Sequence, residues 1–302
     1  MVRTFDHHDF DPAMLLEVKG TQRITVCLPA RNEQATVGTI VTRLHDALVH
    51  RVPLIDEIVV MDDSSTDATA RVAEDAGALV FDASRILPDH GRGPGKGMAM
   101  WKTIYASTGD IVVWCDADVT NFAAHFVTGL LGPLLTDSDV AYVKGFYRRP
   151  LSAAGGGGGR VTELVARPLM SMFFPELTSF MQPLSGEYAG RRWLFERVPF
   201  VAGYGVEVGL LIDIANGWGV DVMAQVDLGT RLHRNRTLTE LGPQATTITQ
   251  VILRRAMPGM VPDAAELIRP GLPPATVHSD ELPPMITVPP YAASRANGPK
   301  FP

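Results

Sequence analysis

Apolar residues in this chain fall into short dense runs, separated by segments in which they recur every three or four positions. ITVCLPA (24–30) predicts a buried strand, and 32–49 carries Val37, Ile40, Val41, Leu44 and Leu48 on one helical face. IDEIVVMDD (55–63) predicts a second strand. SSTDATARVAEDAG (64–77) opens on capping residues and ends on a glycine stop, which predicts a helix. ALVF (78–81) predicts a third strand, GPGKGMAMWKTIYAST (93–108) a glycine-rich loop entering a helix, and DIVVWCDAD (110–118) a fourth strand. Strands alternating with helices of about a dozen residues imply βαβ crossovers, hence an α/β fold with a mostly parallel sheet.

The pattern then changes. AYVKGFYRRP (141–150) predicts another strand, AAGGGGGR (153–160) a flexible loop, and VTELVARPLMSMFFPEL (161–177) a helix kinked or restarted at Pro168. LSGEYAGRRWLFERVPF (184–200) predicts a turn and a short helix. GVEVGLLIDIANGWG (205–219) has helical periodicity, VDVMAQVDL (220–228) alternates like a strand, and a last helix is predicted over 240–257. Prolines at 258, 262, 270, 273, 274, 283, 284, 289 and 290 exclude regular helix or central strand from the tail, which is expected to wrap over the body or stay partly disordered.

Composition narrows the function classes. With 302 residues there is material for an ample core. A formal net charge of −6 argues against general affinity for nucleic acid. The two cysteines, Cys27 and Cys115, lie in apolar runs and read as buried thiols in a reducing cytosol. No apolar run approaches the roughly 18 residues that span a bilayer, and the charged N-terminus lacks a signal-peptide core, so a cytoplasmic location is expected.

In parallel sheets ligands collect at the carboxyl ends of the strands, and the polar residues here gather there: Asn32 and Glu33, Asp62 and Asp63, then Asp116 and Asp118. Two carboxylates separated by one alanine at a strand end repel each other unless a cation lies between them. A hard divalent ion, Mg²⁺ or Mn²⁺, accepts such oxygens and keeps positions open for phosphate. The plainer reading is that Asp118 caps the next helix. Lys96, in GPGKG, can neutralise a diphosphate or reach the base of a nucleotide, or it is a solvated loop lysine. The G-x-x-x-x-G-K-[ST] spacing of a P-loop is absent. Met98, Met100, Met170 and Met172 read as core filler.

VCLPARNEQATVGTIV, EIVVMDDSSTDAT and GKGMAMWKTIYASTGDIVVWCDAD together resemble the nucleotide-binding half of glycosyltransferases with the GT-A fold, over residues 24 to about 150. GGGGGRVTELVARPLMSMFFPEL, QPLSGEYAGRR, PFVAGYGVEVGLLID and DLGTRLHRNR extend the resemblance to the actinobacterial, retaining glucosyl-3-phosphoglycerate synthases. The resemblance implies a Rossmann-like nucleotide-sugar half (1–150), an acceptor-binding half (151–240) and a C-terminal helix with a proline-rich tail (241–302). It implies metal-dependent transfer of glucose from UDP-glucose to the 2-hydroxyl of 3-phospho-D-glycerate, an early step of methylglucose lipopolysaccharide synthesis, by a homodimer.

The same resemblance distributes roles. Pro29, Ala30 and Glu33 hold the uridine, Asp63 and Ser64 the base and ribose, and Lys96, Asp116, Tyr204, Glu207 and Arg236 the rest of the donor. Glu33 also suits a first-turn helix charge, and DDSSTD an N-cap. Asp118 and His233 ligate the metal, assisted by Asp116. Glu207 binds sugar hydroxyls or steadies charge at the anomeric carbon, unless it is only a helix-start charge. Gly159, Arg160, Thr162 and Asn235 hold the acceptor's phosphate and carboxylate. The backbone of Leu184 and Ser185 approaches its hydroxyl. The cations Arg231 to Arg236 suit an anionic ligand. Three alternatives remain at this point: a mannosyl-3-phosphoglycerate or mannosylglycerate synthase, a polyprenyl-phosphate sugar transferase, and a nucleotide-sugar-binding module without catalysis.

Overall fold

The runs at 24–30, 55–63 and 110–118 lie side by side in one sheet. The computed structural model of the chain describes residues 1–91, 95–148, 159–232, 237–262 and 264–296. His233, Asn235 and Arg236 lie outside the described residues, as does most of the glycine run.

The chain begins with β1 (Arg3–Asp6) and α1 (Pro12–Lys19), both unforeseen from the pattern. It continues through β2 (Ile24–Ala30), α2 (Val37–Leu44), β3 (Glu57–Asp62), α3 (Thr69–Asp75), β4 (Leu79–Asp82), α4 (Lys96–Ala106) and β5 (Ile111–Trp114). Then follow α5 (His125–Thr136), β6 (Tyr142–Arg148), α6 (Arg167–Phe173), β7 (Tyr188–Arg191), α7 (Arg192–Phe195), β8 (Phe200–Val201), α8 (Val206–Trp218), β9 (Met223–Thr230) and α9 (Leu238–Ala256). The eight-stranded sheet runs β1-β9-β6-β7-β5-β2-β3-β4, with β7 antiparallel to both neighbours and every other pairing parallel. The α/β, mostly parallel expectation holds, and the sheet takes strands from both 1–150 and 151–240.

Alternation along the central strands builds a core on each face. Ile24, Val26 and Leu28 of β2 join Ile111 and Val113 of β5 on one side, while Cys27, Val112 and Trp114 face the other. Each such side chain, fully buried, stabilises the fold by about 1.5–3 kcal/mol. Both cysteines are buried and free, as expected. Met98, Met100 and Met170 are core residues, but Met172 is 64% exposed, a correction to its reading as filler.

Three other expectations change. Segment 184–200 holds a strand before its short helix. In β7, Tyr188 sits opposite Trp114 of β5, and Tyr188 also pairs with Lys144 of β6. Of the capping-like SSTD only Asp67 serves α3 directly, its carboxylate accepting the Thr69 N–H at 2.9 Å. The residue before that helix is Ala68, without a side-chain cap, while Ser65 Oγ accepts from the Asn32 N–H at 3.0 Å. The described part of the tail is ordered: β10 (Ala264–Arg269) and β11 (Leu272–His278) form a two-stranded hairpin carrying Pro273 and Pro274, apart from the main sheet. β12 (Glu281–Leu282) pairs with β8, and α10 (Pro289–Ala296) follows. Pro289 and Pro290 stand in the first turn of α10, where an amide hydrogen has no helical partner to lose. Leu282, Met285, Val288 and Tyr291 are buried, and Trp101 Nε1 donates to Pro283 O at 2.8 Å. The tail thus wraps over the body.

Candidate active site

A cleft of about 830 Å³ opens at the carboxyl ends of β2, β3 and β5. Pro29, Ala30, Glu33 and Asp63 line it from the ends of β2 and β3, Lys96 from the start of α4, and Asp116 and Asp118 from beyond β5. Gly159, Arg160, Thr162, Leu184, Tyr204 and Glu207 line it from the second half of the chain. Ser64 and Ser185 are not among the lining residues. Ser64 has a φ of 62°, and Ser185 is fully buried.

Local structure explains these placements. β5 ends at Trp114, so the two aspartates sit on the following turn rather than on the strand as the sequence reading had them. The antiparallel register that sets Tyr188 against Trp114 brings Gly186 beside Asp116, and a Cβ on Gly186 would lie 2.2 Å from Asp116 Oδ2. In GPGKG, Gly97 serves packing: an added Cβ would lie 1.8 Å from the Val201 carbonyl oxygen, so the start of α4 rests directly on β8. The Gly95 N–H donates to Asp63 Oδ2 at 2.9 Å, and the Asp63 N–H to Ala30 O at 2.8 Å, tying three walls of the cleft together.

A charge network occupies the floor. Lys96 Nζ lies 2.6 Å from Asp116 Oδ1 and 2.7 Å from Glu207 Oε1. Arg231 Nη2 lies 2.7 Å from Asp116 Oδ2 and 2.8 Å from Asp118 Oδ1. Its Nε is 3.1 Å from Glu187 Oε1, an ion pair set outside hydrogen-bond angles, and its guanidinium lies over the Tyr147 ring. The sequence reading offered Arg231 to an anionic ligand. Instead it is 3% exposed and committed to the acids, because burying a guanidinium requires partnered carboxylates. Arg234 and Arg236 lie outside the described residues.

Environment sets the protonation of these groups. Burial opposes the Lys96 charge, but Asp116 and Glu207 outweigh it and hold its pKa above the usual lysine value. Burial likewise opposes Arg231, yet Glu187, Tyr147, Asp116 and Asp118 keep it firmly charged. Burial raises the Glu187 carboxyl against the pull of Arg231, and raises Asp63 against the Gly95 amide. Behind the cleft, Lys144 is 1% exposed, and its Nζ donates to Ser185 O at 3.0 Å and lies over the Tyr188 ring. Burial pushes Lys144 down to about 7, although Glu207 and Glu187 pull the other way.

The sequence reading gave no role to Glu187, although it lies in QPLSGEYAGRR, and it missed Lys144 and the cleft lining from the C-terminal segment. There α9 contributes Glu240, Gln244 and Thr247, and β11 contributes Thr276 and Val277. The 241–302 segment, read as a tail, therefore closes the site. Asp116, Asp118 and Glu207 bring carboxylate oxygens into one cleft beside Lys96 and Arg231, and oxygen donors of this kind suit a hard divalent cation.

Residues 25–200 match the family model Glycosyl transferase family 2. A glucosyl-3-phosphoglycerate synthase of Petrotoga mobilis is 43% identical over 308 residues, covering 96% of this chain and 95% of that protein. One from Mycolicibacterium smegmatis is 48% identical, covering 80% of each. A crystal structure of glucosyl-3-phosphoglycerate synthase from Mycobacterium tuberculosis, in complex with Mn²⁺, uridine-diphosphate-glucose and phosphoglyceric acid, superposes with a TM-score of 0.84. It is 42% identical and covers 94% of this chain and 98% of that one. With this shared fold and this identity across nearly the whole length, the chain belongs to the family 2 glycosyltransferases, among the glucosyl-3-phosphoglycerate synthases.

Proposed function

We propose that this protein transfers glucose from UDP-glucose to the 2-hydroxyl of 3-phospho-D-glycerate, with retention at the anomeric carbon and with Mg²⁺ or Mn²⁺ as cofactor. One observation carries the reading. Lys96, Asp116 and Glu207 form a single charge network in a cleft that Arg160 and Thr162 also line. A nucleotide sugar and a small anionic acceptor are thereby served in one cleft.

Pro29, Ala30, Glu33 and Asp63 take the uridine end, with Ser64 and Arg236 assisting from sequence analogy alone. Lys96 meets the diphosphate, and Glu207 and Tyr204 meet the glucose. Asp118 and His233 would hold the cation, which neutralises the leaving diphosphate when bound. Gly159, Arg160, Thr162 and Asn235 receive the acceptor's phosphate and carboxylate. The bond from the anomeric carbon to phosphate breaks as the bond to the glycerate 2-oxygen forms on the same face. The hydroxyl proton passes to the departing phosphate oxygen, near the Leu184–Ser185 backbone. No enzyme nucleophile is needed, and Glu207, bound to Lys96 at 2.7 Å, is held as a sugar and charge-steadying group.

The 1–150 segment is assigned to the donor, 151–240 to the acceptor, and 241–302 to closing the cleft. A cytoplasmic homodimer is the proposed working form. Among the described residues no helix is long and apolar enough to cross a membrane. Nucleotide sugars should be assayed against small phosphorylated acids, with metal and with chelator. UDP-glucose with 3-phosphoglycerate should be the best pair and chelator should abolish transfer. Preference for a mannose donor, or equal turnover of glycerate and 3-phosphoglycerate, would overturn the assignment.

A further inference from the structure

Between the two aspartates the structure places a guanidinium. Arg231 Nη2 touches Asp116 Oδ2 at 2.7 Å and Asp118 Oδ1 at 2.8 Å, so one nitrogen serves both carboxylates. The side chain is clamped from behind: Nη1 reaches Tyr147 Oη at 3.2 Å, Nε is 3.1 Å from Glu187 Oε1, and Glu187 is fully buried. Arg231 is fixed by groups that do not reach the cleft and presents one edge to groups that do.

We infer that Arg231 is a resident counter-cation of the aspartate pair, held by Glu187, which opposes the divalent cation when no nucleotide is bound and so couples its entry to that of the nucleotide diphosphate. This rests on reading Asp118 as a metal ligand. Arg231 acts through the aspartates and is a positioning residue. Its charge lies within one side chain of the place where a cation bound to Asp118 must sit, and two like charges at that separation repel strongly at protein-like dielectric. A diphosphate brings negative charge that relieves this repulsion, so metal and nucleotide each strengthen the other's binding by the same factor.

A merely structural arginine would weaken metal binding when removed; a counter-cation does the reverse. Mn²⁺ binding to the full-length protein can be followed by loss of the free-ion electron paramagnetic resonance signal, with and without UDP. In the wild type, UDP should tighten Mn²⁺ strongly, and Asp118→Asn should remove this binding. Arg231→Met should tighten Mn²⁺ in the absence of UDP by about tenfold or more, and the tightening by UDP should shrink. Glu187→Gln, which leaves the guanidinium charge less compensated, should weaken Mn²⁺ alone. It also keeps the test open if Arg231→Met does not fold. Unchanged or weaker Mn²⁺ binding in Arg231→Met, or tighter binding in Glu187→Gln, would overturn the inference while leaving the metal site intact. No Mn²⁺ binding to the wild type with UDP present would overturn both.

Discussion

Gly186 stands against Asp116 so closely that a single added methyl would lie 2.2 Å from one carboxylate oxygen and 2.4 Å from the other. The register of β7 against β5 enforces this approach, because Gly186 lies two residues before Tyr188 and Asp116 two after Trp114. The carboxylate is short and held by Lys96 and Arg231, so it cannot yield without breaking those pairs. Gly186→Ala should therefore fold yet lose turnover by about 100-fold, the cost of an ångström-scale misplacement at a reacting centre. Steady-state kinetics beside a thermal melt decides this, and wild-type turnover would refute it.

Lys96 is the cation between two carboxylates from distant parts of the chain, Asp116 and Glu207. Removing it takes away the cation that two partly buried carboxylates share. Lys96→Met should lower UDP affinity by at least about 30-fold, roughly 2 kcal/mol, measured calorimetrically without acceptor. Unchanged affinity and turnover would return this lysine to a purely structural role.

Arg160 lines the same cleft as the residues assigned to the nucleotide. 3-Phosphoglycerate carries about three negative charges near neutral pH, because the second phosphate pKa is about 6. A chain of net charge −6 must concentrate cations locally to hold it. Arg160→Ala should raise the acceptor KM at least about 30-fold while leaving UDP-glucose binding nearly unchanged. An equal loss of donor binding would place Arg160 on the nucleotide instead.

Lys144 gives the fold a pH signature. Its pKa falls from 10.5 to about 7 through burial, so between these values the unfolded chain binds a proton that the folded chain does not. Stability from this group is present above 10.5, declines as pH falls, and is lost below about 7. Lys144→Met should therefore flatten the rise in urea midpoint between pH 7 and 10 and raise stability most at the acid end. Parallel pH dependence in variant and wild type would show that Lys144 titrates normally.

The strands at 24–30 and 57–62 and the helix Val206–Trp218 were legible because dense apolar runs and 3.6-residue periodicity record which face each segment must bury. Clustering of Glu33, Asp63, Asp116 and Asp118 in one cleft was also legible, since βαβ topology brings strand ends together. β7 was not: YAGR is four residues long with a glycine inside, and its place between β5 and β6 follows from long-range pairing alone. The proline-rich tail misled for a related reason. Prolines exclude a central strand, yet an outlying hairpin and the first turn of α10 accommodate them, and only contact with the core shows that Leu282, Met285 and Tyr291 are buried.

What the amino-acid sequence determined by itself is the set of local preferences: which segments bury a face, where acids collect, and which family motifs the chain carries. Only the tertiary structure decided what balances those acids. Asp116 and Arg231 are 115 residues apart, Lys96 and Glu207 stand on different helices, and the motif around Glu187 does not say which cation it meets. Charge pairing depends on distance and burial, and neither is written locally along a chain. The sequence showed two aspartates that needed a cation, and folding supplied the first of them from within as Arg231.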